Sequence, residues 1–332
     1  MGSPIVVYGA GSIGCYIGGR LAGAGADVVF VGRQRVADEV REHGLHLTDL
    51  DGADVRRRSV DYRTEPDVIA DASLVLVTVK SSATAEVAAT LAPLLRDDAI
   101  VVSLQNGLSN AALIREKIDR PVLTGMVPFN VVAQGRGRFH QGSEGGIEVE
   151  DSGLLTPYLP QFDAAGLPLT LRPDMDAVLW AKLLLNLNNP INALSGLPLK
   201  AELSQRAYRR CIAAAQREAL SVGRGAGRTA ARLTPLPPSW IPLLLTVPDV
   251  VFRTLASSML AIDPLARSSM WEDLEMGRVT EVEWINGEVV RLGREHGVAT
   301  PVNDRLIDLI RTAERGGRRD WPGPELLVAL TA

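Results

Sequence analysis

Lys182, Asn186 and Asn189 stand in the apolar run "LWAKLLLNLNN". If one helix runs through it, they fall at i, i+4 and i+7 and share one face. Leucines flank them, so an ammonium and two amides lie on a largely buried stripe. Such groups need partners, because unpaired burial costs on the order of 1–3 kcal/mol per neutral polar group and more for a charge. An ammonium held there can stabilise negative charge growing on an oxygen and can donate a proton. The structural alternative is a lysine that snorkels to the surface. Asn188 and Asn192 fall off that stripe. Glu281, in "RVTEVEWING", is placed on one helical face with Trp284 and Glu288, with Glu283 turned elsewhere. By itself it reads as a solvated helix glutamate. It gains interest only together with Lys182 and with Ser268-Ser269 upstream.

A second set of residues lies near the start of the chain. Gly9-Ala10-Gly11-Ser12-Ile13-Gly14 follows the apolar segment "PIVVY" and opens a helical pattern. In that context the glycines serve a tight turn, close backbone approach to a pyrophosphate, and close helix–sheet packing. The first helical turn adds free N–H groups for the anion. Gly9, Gly11, Ser12, Ile13 and Gly14 are therefore read as a dinucleotide cradle. The next apolar strand, "DVVFVGR", ends on Gly32-Arg33, with Arg35 near. An acid there would accept from the ribose diol of NAD, whereas an arginine can pair with a 2′-phosphate. The charge logic predicts NADP(H), with Arg33 the better candidate and Arg35 a solvated alternative. Lys80 and Asn106 close the next two apolar strands, where ligands of parallel sheets bind. Lys80 can reach a phosphate or ribose, and Asn106 can hold an amide or a substrate oxygen.

The elements that must position these residues follow from the pattern. Continuous apolar strands alternate with helices through the first half, which implies a parallel sheet covered on both faces. "LHLTDLDGADVRRRSV" reads as a hairpin. From about residue 174 the chain reads as helices. The expected fold is an α/β Rossmann domain, doubly wound with a mostly parallel sheet, over residues 1–173, and an all-α domain over residues 174–332. Val282, Ile285, Val289 and Leu292 keep helical spacing, Gly297 is a stop, and Thr300-Pro301 start a last helix ending near Gly316. "GRTAARLTPLPPSW" reads as a loop and "GGRRDWPGPELL" as a surface-laid tail.

The 332 residues suffice for two domains. A net charge of −4 gives no reason to expect nucleic acid or an anionic membrane as partner. Cys15 and Cys211 lie in different halves, so no disulfide framework is expected. His43 and His46 lack a third ligand nearby, so no metal is expected. Pro242, Pro248 and Asp249 interrupt the most apolar run, which argues against a membrane span. With no export signal visible, the expected location is the cytoplasm.

"GAGSIG", "VTVK", "LQNG", "LWAKLLLN" and "SSMWEDLEMGRVTEVEWINGEVVRLGREHGVATPVN" together resemble the ketopantoate reductase (2-dehydropantoate 2-reductase) family over essentially the whole chain. The C-terminal string is the most specific part. The resemblance implies a Rossmann domain on a helical domain, an active site in the cleft between, and NADPH-dependent reduction of ketopantoate to pantoate on the route to pantothenate and coenzyme A. It implies that Lys182 is the catalytic lysine. Glu281 would bind the substrate's hydroxyl, and Ser269 its carboxylate. Asn106 and Asn186 would line the substrate cleft, and Lys80 and Arg33 would contact cofactor phosphates. The chain departs from the family pattern at Ala83, Pro190 and Ala266; Asn189 replaces the asparagine missing at Pro190 only if the helix shifts register. The apolar insert 233–266 would wall the pocket, form a subunit contact as in a homodimer, or add helical core. Two alternatives stay open: a reductase of another carbonyl or imine, and a non-catalytic NADP(H) sensor.

Overall fold

A computed structural model of the chain describes residues 3–256 and 266–331. It divides into two compact units, Met1–Met175 and Asp176–Ala332.

The first unit holds strands β1 (Ile5–Tyr8), β2 (Val28–Val31), β3 (Leu45–Thr48), β4 (Asp54–Arg57), β5 (Asp61–Arg63), β6 (Leu74–Val77), β7 (Ile100–Ser103), β8 (Val122–Met126), β9 (Val131–Gly135), β10 (Arg138–Gln141), β11 (Ile147–Glu150) and β12 (Leu169–Arg172). Its helices are α1 (Ser12–Gly23), α2 (Gln34–His43), α3 (Thr84–Leu91), α4 (Asn110–Arg115) and α5 (Leu159–Ala164). The main sheet runs β12-β11-β8-β7-β6-β1-β2-β5. Every pairing in it is parallel except β11 with β8. Alternate residues of each central strand enter different cores. Val7, Phe30 and Leu76 pack with α1 residues Ile17 and Leu21. Val6, Val29 and Val75 pack with Val87 and Leu91 of α3 and Ile114 of α4. Burial on both faces is why these strands read as unbroken apolar runs. The expected hairpin forms as β3–β4, antiparallel. It belongs to a separate four-stranded sheet, β4-β3-β10-β9, whose partners β9 and β10 lie far away in sequence.

The second unit is helical: α6 (Met175–Asn186, its first residue in the preceding unit), α7 (Asn189–Ser195), α8 (Leu199–Leu203), α9 (Arg206–Gly225), α10 (Ile241–Thr246), α11 (Asp249–Leu255), α12 (Ser269–Glu275), α13 (Val282–Glu295), α14 (Pro301–Glu314) and α15 (Gly323–Thr331). This α/β unit and helical unit are the expected fold class. Val282, Ile285, Val289 and Leu292 are buried as their spacing requires. Gly297 follows α13 with a φ of +67°, Thr300 precedes α14, and Pro301 opens it.

Three sequence expectations are corrected. No single helix carries Lys182 through Asn189: α6 ends at Asn186 and α7 starts at Asn189. Pro190 sits in the first turn of α7; it lacks an N–H, and its ring would clash with the carbonyl four residues back in a continuous helix. Glu281 lies before α13, with φ −94° and ψ 25°, rather than on its face with Trp284 and Glu288. The tail is not merely laid on the surface, since α15 buries Leu326 and Leu330 completely or nearly so.

Arg209 ties the proline-rich insert to the helical core. Fully buried, it donates to the carbonyls of Leu203, Leu245 and Val247 and pairs with Asp249 at 2.8 Å. Residues 257–265, the rest of that insert before Ala266, lie outside the described residues. Among the described residues no helix is long and apolar enough to cross a membrane, and no group of three or more His, Cys, Asp or Glu could hold a metal ion.

Candidate functional site

The turn after β1 is held from three sides. Gly9 has a φ of +96°, and a Cβ there would lie 2.4 Å from Val79 Cγ1. Thr78 Oγ1 donates to the Gly9 carbonyl at 3.0 Å, and the Tyr62 hydroxyl to the Ala10 carbonyl at 2.8 Å. A Cβ on Gly14 would lie 2.6 Å from Thr78 Oγ1, so α1 can approach the sheet only as glycine. Over Gly11 the nearest atom to a Cβ would be 3.8 Å away, at the Gly9 carbonyl. The first bond of α1 is Cys15 N–H to the Gly11 carbonyl. The N–H groups of Ser12, Ile13 and Gly14 find no acceptor among the described residues, no side chain caps the helix, and no acid lies in its first turn. A rigid turn with open donors fits a pyrophosphate.

Arg33 is exposed just before α2 and forms no ion pair among the described residues. Arg35 instead reaches Glu39 at 3.6 Å. Arg33 and Arg35 both act on the Tyr62 phenol, whose pKa is nonetheless pushed above its ordinary value by burial. A Cβ on Gly32 would lie 2.4 Å from the Tyr62 oxygen, so glycine at the end of β2 makes room for the tyrosine that pins the cradle.

Lys80 is half-buried past the end of β6. Asn106 lies in the turn after β7, next to Gly107 with a φ of +97°. Its carbonyl accepts from Ser81 Oγ at 2.9 Å and from Asn110 Nδ2. Behind it, Asn110 Oδ1 accepts from Thr84 Oγ1 at 2.6 Å, Thr84 Oγ1 accepts from Gln105 Nε2 at 2.7 Å, and Gln105 Oε1 accepts from Ser103 Oγ at 3.0 Å. Ser81, Thr84, Ser103, Gln105 and Asn110 are all buried. This network fixes the Lys80 and Asn106 turns to each other. Sequence reasoning named the two ends and missed the chain between them; the visible signal was polar residues clustered after two apolar strands.

In the helical unit Lys182 keeps part of its side chain accessible. Protein atoms crowd its ammonium all the same, and this desolvation pushes its pKa down to about 8. Asn186 and Asn189, both half-buried, end α6 and begin α7. Ser269 is exposed as the first residue of α12. Its neighbour Ser268 is the N-cap: Oγ accepts from Trp271 N–H at 3.2 Å and donates to the Asn189 carbonyl at 3.2 Å. Asn192 Oδ1 accepts from Ser268 N–H at 2.8 Å. The Asn192 amide donates to the Leu197 carbonyl at 3.0 Å and to Glu202 Oε2. Donors on one side and acceptors on the other leave this amide one orientation. Glu202 is fully buried, and desolvation raises its pKa to about 8. No local pattern marks Asn192 or Glu202, because neither shares a helical face with Lys182.

Glu281 is half-buried between Thr280 and α13. Glu288, beside it in the expected face, is bound to Arg291 at 2.6 Å. Asn286 of the "WING" segment is buried and donates to Asn303 Oδ1 at 3.0 Å. Asn303 in turn donates to Glu218 Oε2 at 2.7 Å, and Glu218 accepts from the first N–H groups of α14. These two asparagines join α13 to α14.

A family model described as Ketopantoate reductase PanE/ApbA matches residues 5–153, and one described as Ketopantoate reductase PanE/ApbA C terminal matches residues 174–314. The chain is 32% identical to a 2-dehydropantoate 2-reductase of Halobacterium salinarum, over 94% of this chain and 99% of that one. It is 29% identical to a 2-dehydropantoate 2-reductase of Archaeoglobus fulgidus, over 94% and 98%. The crystal structure of a PanE/ApbA family ketopantoate reductase from Ralstonia eutropha superposes with a TM-score of 0.81 at 28% identity, covering 94% of this chain and 99% of that one. The chain belongs to the ketopantoate reductase family of oxidoreductases.

Proposed function

We propose that the chain reduces a 2-keto acid with NADPH, and that the substrate is 2-dehydropantoate, converted to pantoate for pantothenate and coenzyme A synthesis in the cytoplasm. The observation that carries the reading is Lys182, an ammonium crowded until its pKa falls to about 8, in a chain whose relatives carry that activity in their names. When bound, the reduced nicotinamide supplies hydride. The cradle of Gly9, Gly11, Ser12, Ile13 and Gly14 would hold the pyrophosphate. Arg33 would meet the 2′-phosphate, and Lys80 a phosphate or ribose. Lys182 stabilises the charge that grows on the carbonyl oxygen and gives it a proton. Glu281 accepts from the substrate's hydroxyl. Ser269 donates to its carboxylate, and Asn106, Asn186 and Asn189 orient it. The assembly in this reading is a homodimer.

A second reading keeps the chemistry and changes the substrate to another carbonyl or imine. The break between α6 and α7 favours it, because it moves Asn189 off the stripe that carries Lys182. The loss of NADPH absorbance with 2-dehydropantoate, against a panel of 2-keto acids and against NADH, tests both. Turnover with 2-dehydropantoate and NADPH is the expected result. Consumption only with other acids moves the substrate to the second reading, and a preference for NADH removes the role given to Arg33.

A further inference from the structure

We infer that the arginine-rich end of the four-stranded sheet, beside the end of α2, is an anion site for a small molecule carrying a chain of two or three phosphates. This goes beyond the reductase reading and does not depend on it. An open groove of about 340 Å³ lies there, lined by Arg56, Arg57, Arg58, Arg136 and Arg138. That volume is within the range of small-ligand sites. The chain as a whole carries −4, so five arginines gather here against the overall sign. Arg56 shares Asp54 with His46, at 2.9 and 3.0 Å. Arg57, Arg58, Arg136 and Arg138 form no ion pair among the described residues.

Strand register makes the cluster dense. His46 pairs with Arg56 on one side and with Arg138 on the other, so three basic side chains stand in a row. Arg57 pairs with Leu45 and so leaves β4 on the other face, where Leu47 and Val55 are the first residues that a Cβ on Gly19 or Gly23 of α1 would meet; it joins the groove at the end of the strand. Asp54 meets Arg56 and His46 in this row, while Arg138 forms no ion pair among the described residues, and a bound anion would give it one.

Arg136 supplies an independent observation. The β9–β10 turn is Arg136-Gly137, with φ values of +54° and +66°. Two-residue turns with both centres at positive φ favour Asn-Gly, because larger side chains are strained there. The chain places an arginine instead. The turn is also clamped. The Gly137 N–H donates to Glu39 Oε1 at 2.9 Å, and its carbonyl accepts from the His46 N–H at 2.9 Å. Gly137 packs so closely on the Gly44 carbonyl that a Cβ could not fit. An arginine whose backbone holds a positive φ is thus presented from a fixed turn.

Complementing the carbonyl end of α2 does not account for the cluster, since of the lining residues only His43 belongs to that helix. Nor is the groove the dinucleotide cradle. Arg33 precedes α2 and His43 ends it, a separation of roughly 15 Å at 1.5 Å per residue. Guanidinium forks match phosphate oxygens in pairs. A polynucleotide would meet an anionic protein outside the groove, whereas a compact polyphosphate would meet only the arginines.

Inorganic triphosphate titrated calorimetrically into the full chain, with and without NADPH, tests this. The expected result is one binding event that survives NADPH and weakens about tenfold or more between about 50 and about 200 mM salt. Arg136→Asn is expected to weaken it about fivefold through loss of one bidentate contact, while the melting temperature holds or rises because asparagine suits the turn. Arg138→Glu is expected to abolish it. An ATP arm separates sources: tighter binding than triphosphate identifies a nucleotide, equal binding the phosphate chain alone, and either supports the site. No binding at all overturns the inference. So does binding that NADPH removes and Arg136→Asn leaves unchanged, which would assign the anion to the cradle. A short single-stranded oligonucleotide binding more tightly than triphosphate would overturn it in favour of nucleic acid.

Discussion

As a proton donor Lys182 would act better the closer its pKa lies to the working pH, and crowding by protein atoms brings it to about 8. A donor with that value is mostly protonated at neutral pH and still gives up its proton readily. Keto acid reduction is therefore expected to be flat below about pH 7 and to fall about tenfold per pH unit well above 8. Lys182→Ala is expected to lower kcat by about 10²–10⁴-fold. Lys182→Arg should rescue little, because a guanidinium keeps its proton. A pH–rate profile of the three proteins checks this; an unchanged alkaline limb in Lys182→Ala would remove the role. The same shift has a stability sign. Between about 8 and 10.5 the unfolded lysine binds more proton than the folded one, so this group's contribution to stability rises with pH across that window.

Among the elements, the junction of α7, α8 and α12 depends on one buried carboxyl. Glu202 holds Asn192, and Asn192 holds the backbone of Ser268 at the start of α12, next to Ser269. Its pKa is raised from 4.5 to about 8 by burial. The folded state keeps a proton that the unfolded state releases, so its stabilising effect is complete below about 4.5 and is lost as pH rises toward 8. Glu202→Gln keeps the shape and the acceptor without the proton. Its denaturation midpoint is expected to be nearly level from pH 5 to pH 8, where the parent declines by a total on the order of a few kcal/mol. An equal fall in urea midpoint between pH 5 and pH 8 in the parent and in Glu202→Gln would refute the assignment. Ser269 contacts should suffer with it in the parent at alkaline pH, seen as a rise in KM.

At the scale of the whole molecule, the candidate groups fall in two compact units. The uncapped first turn of α1 belongs to the sheet unit, and Lys182 to the helical unit. A dinucleotide held by the cradle would stabilise the sheet unit by about 2.7 kcal/mol at a hundred times its Kd. Calorimetry with NADPH is expected to raise the transition belonging to that unit. A shift confined to the helical unit's transition would show that the cradle has been misassigned.

How much of this was legible in the order of residues depends on the range over which each feature is fixed. The strands β1, β2, β6 and β7, the glycine turn, the stop at Gly297 and the start at Thr300-Pro301 are local, and apolar runs, glycine and proline state them directly. Gly32-Arg33 likewise states its charge at a known strand end. Features that depend on residues meeting from distant parts of the chain were not legible. Asn110 meets Ser81, Asn303 meets Glu218, Arg209 meets the carbonyls of Leu245 and Val247, and β10 enters beside β3. No local pattern encodes such pairs, because each satisfies a buried polar group whose partner is set by packing. Pro190 lies between the two cases: its break of the helix is a local rule, yet the hydrophobic stripe through "LLLN" argued for continuity, and the missing N–H with its ring clash prevailed over the pattern. The sequence by itself determined the fold class and singled out the glycine turn and Lys182 as candidates. Only tertiary structure decided what surrounds them, because desolvation and hydrogen-bond partners come from atoms remote in the chain.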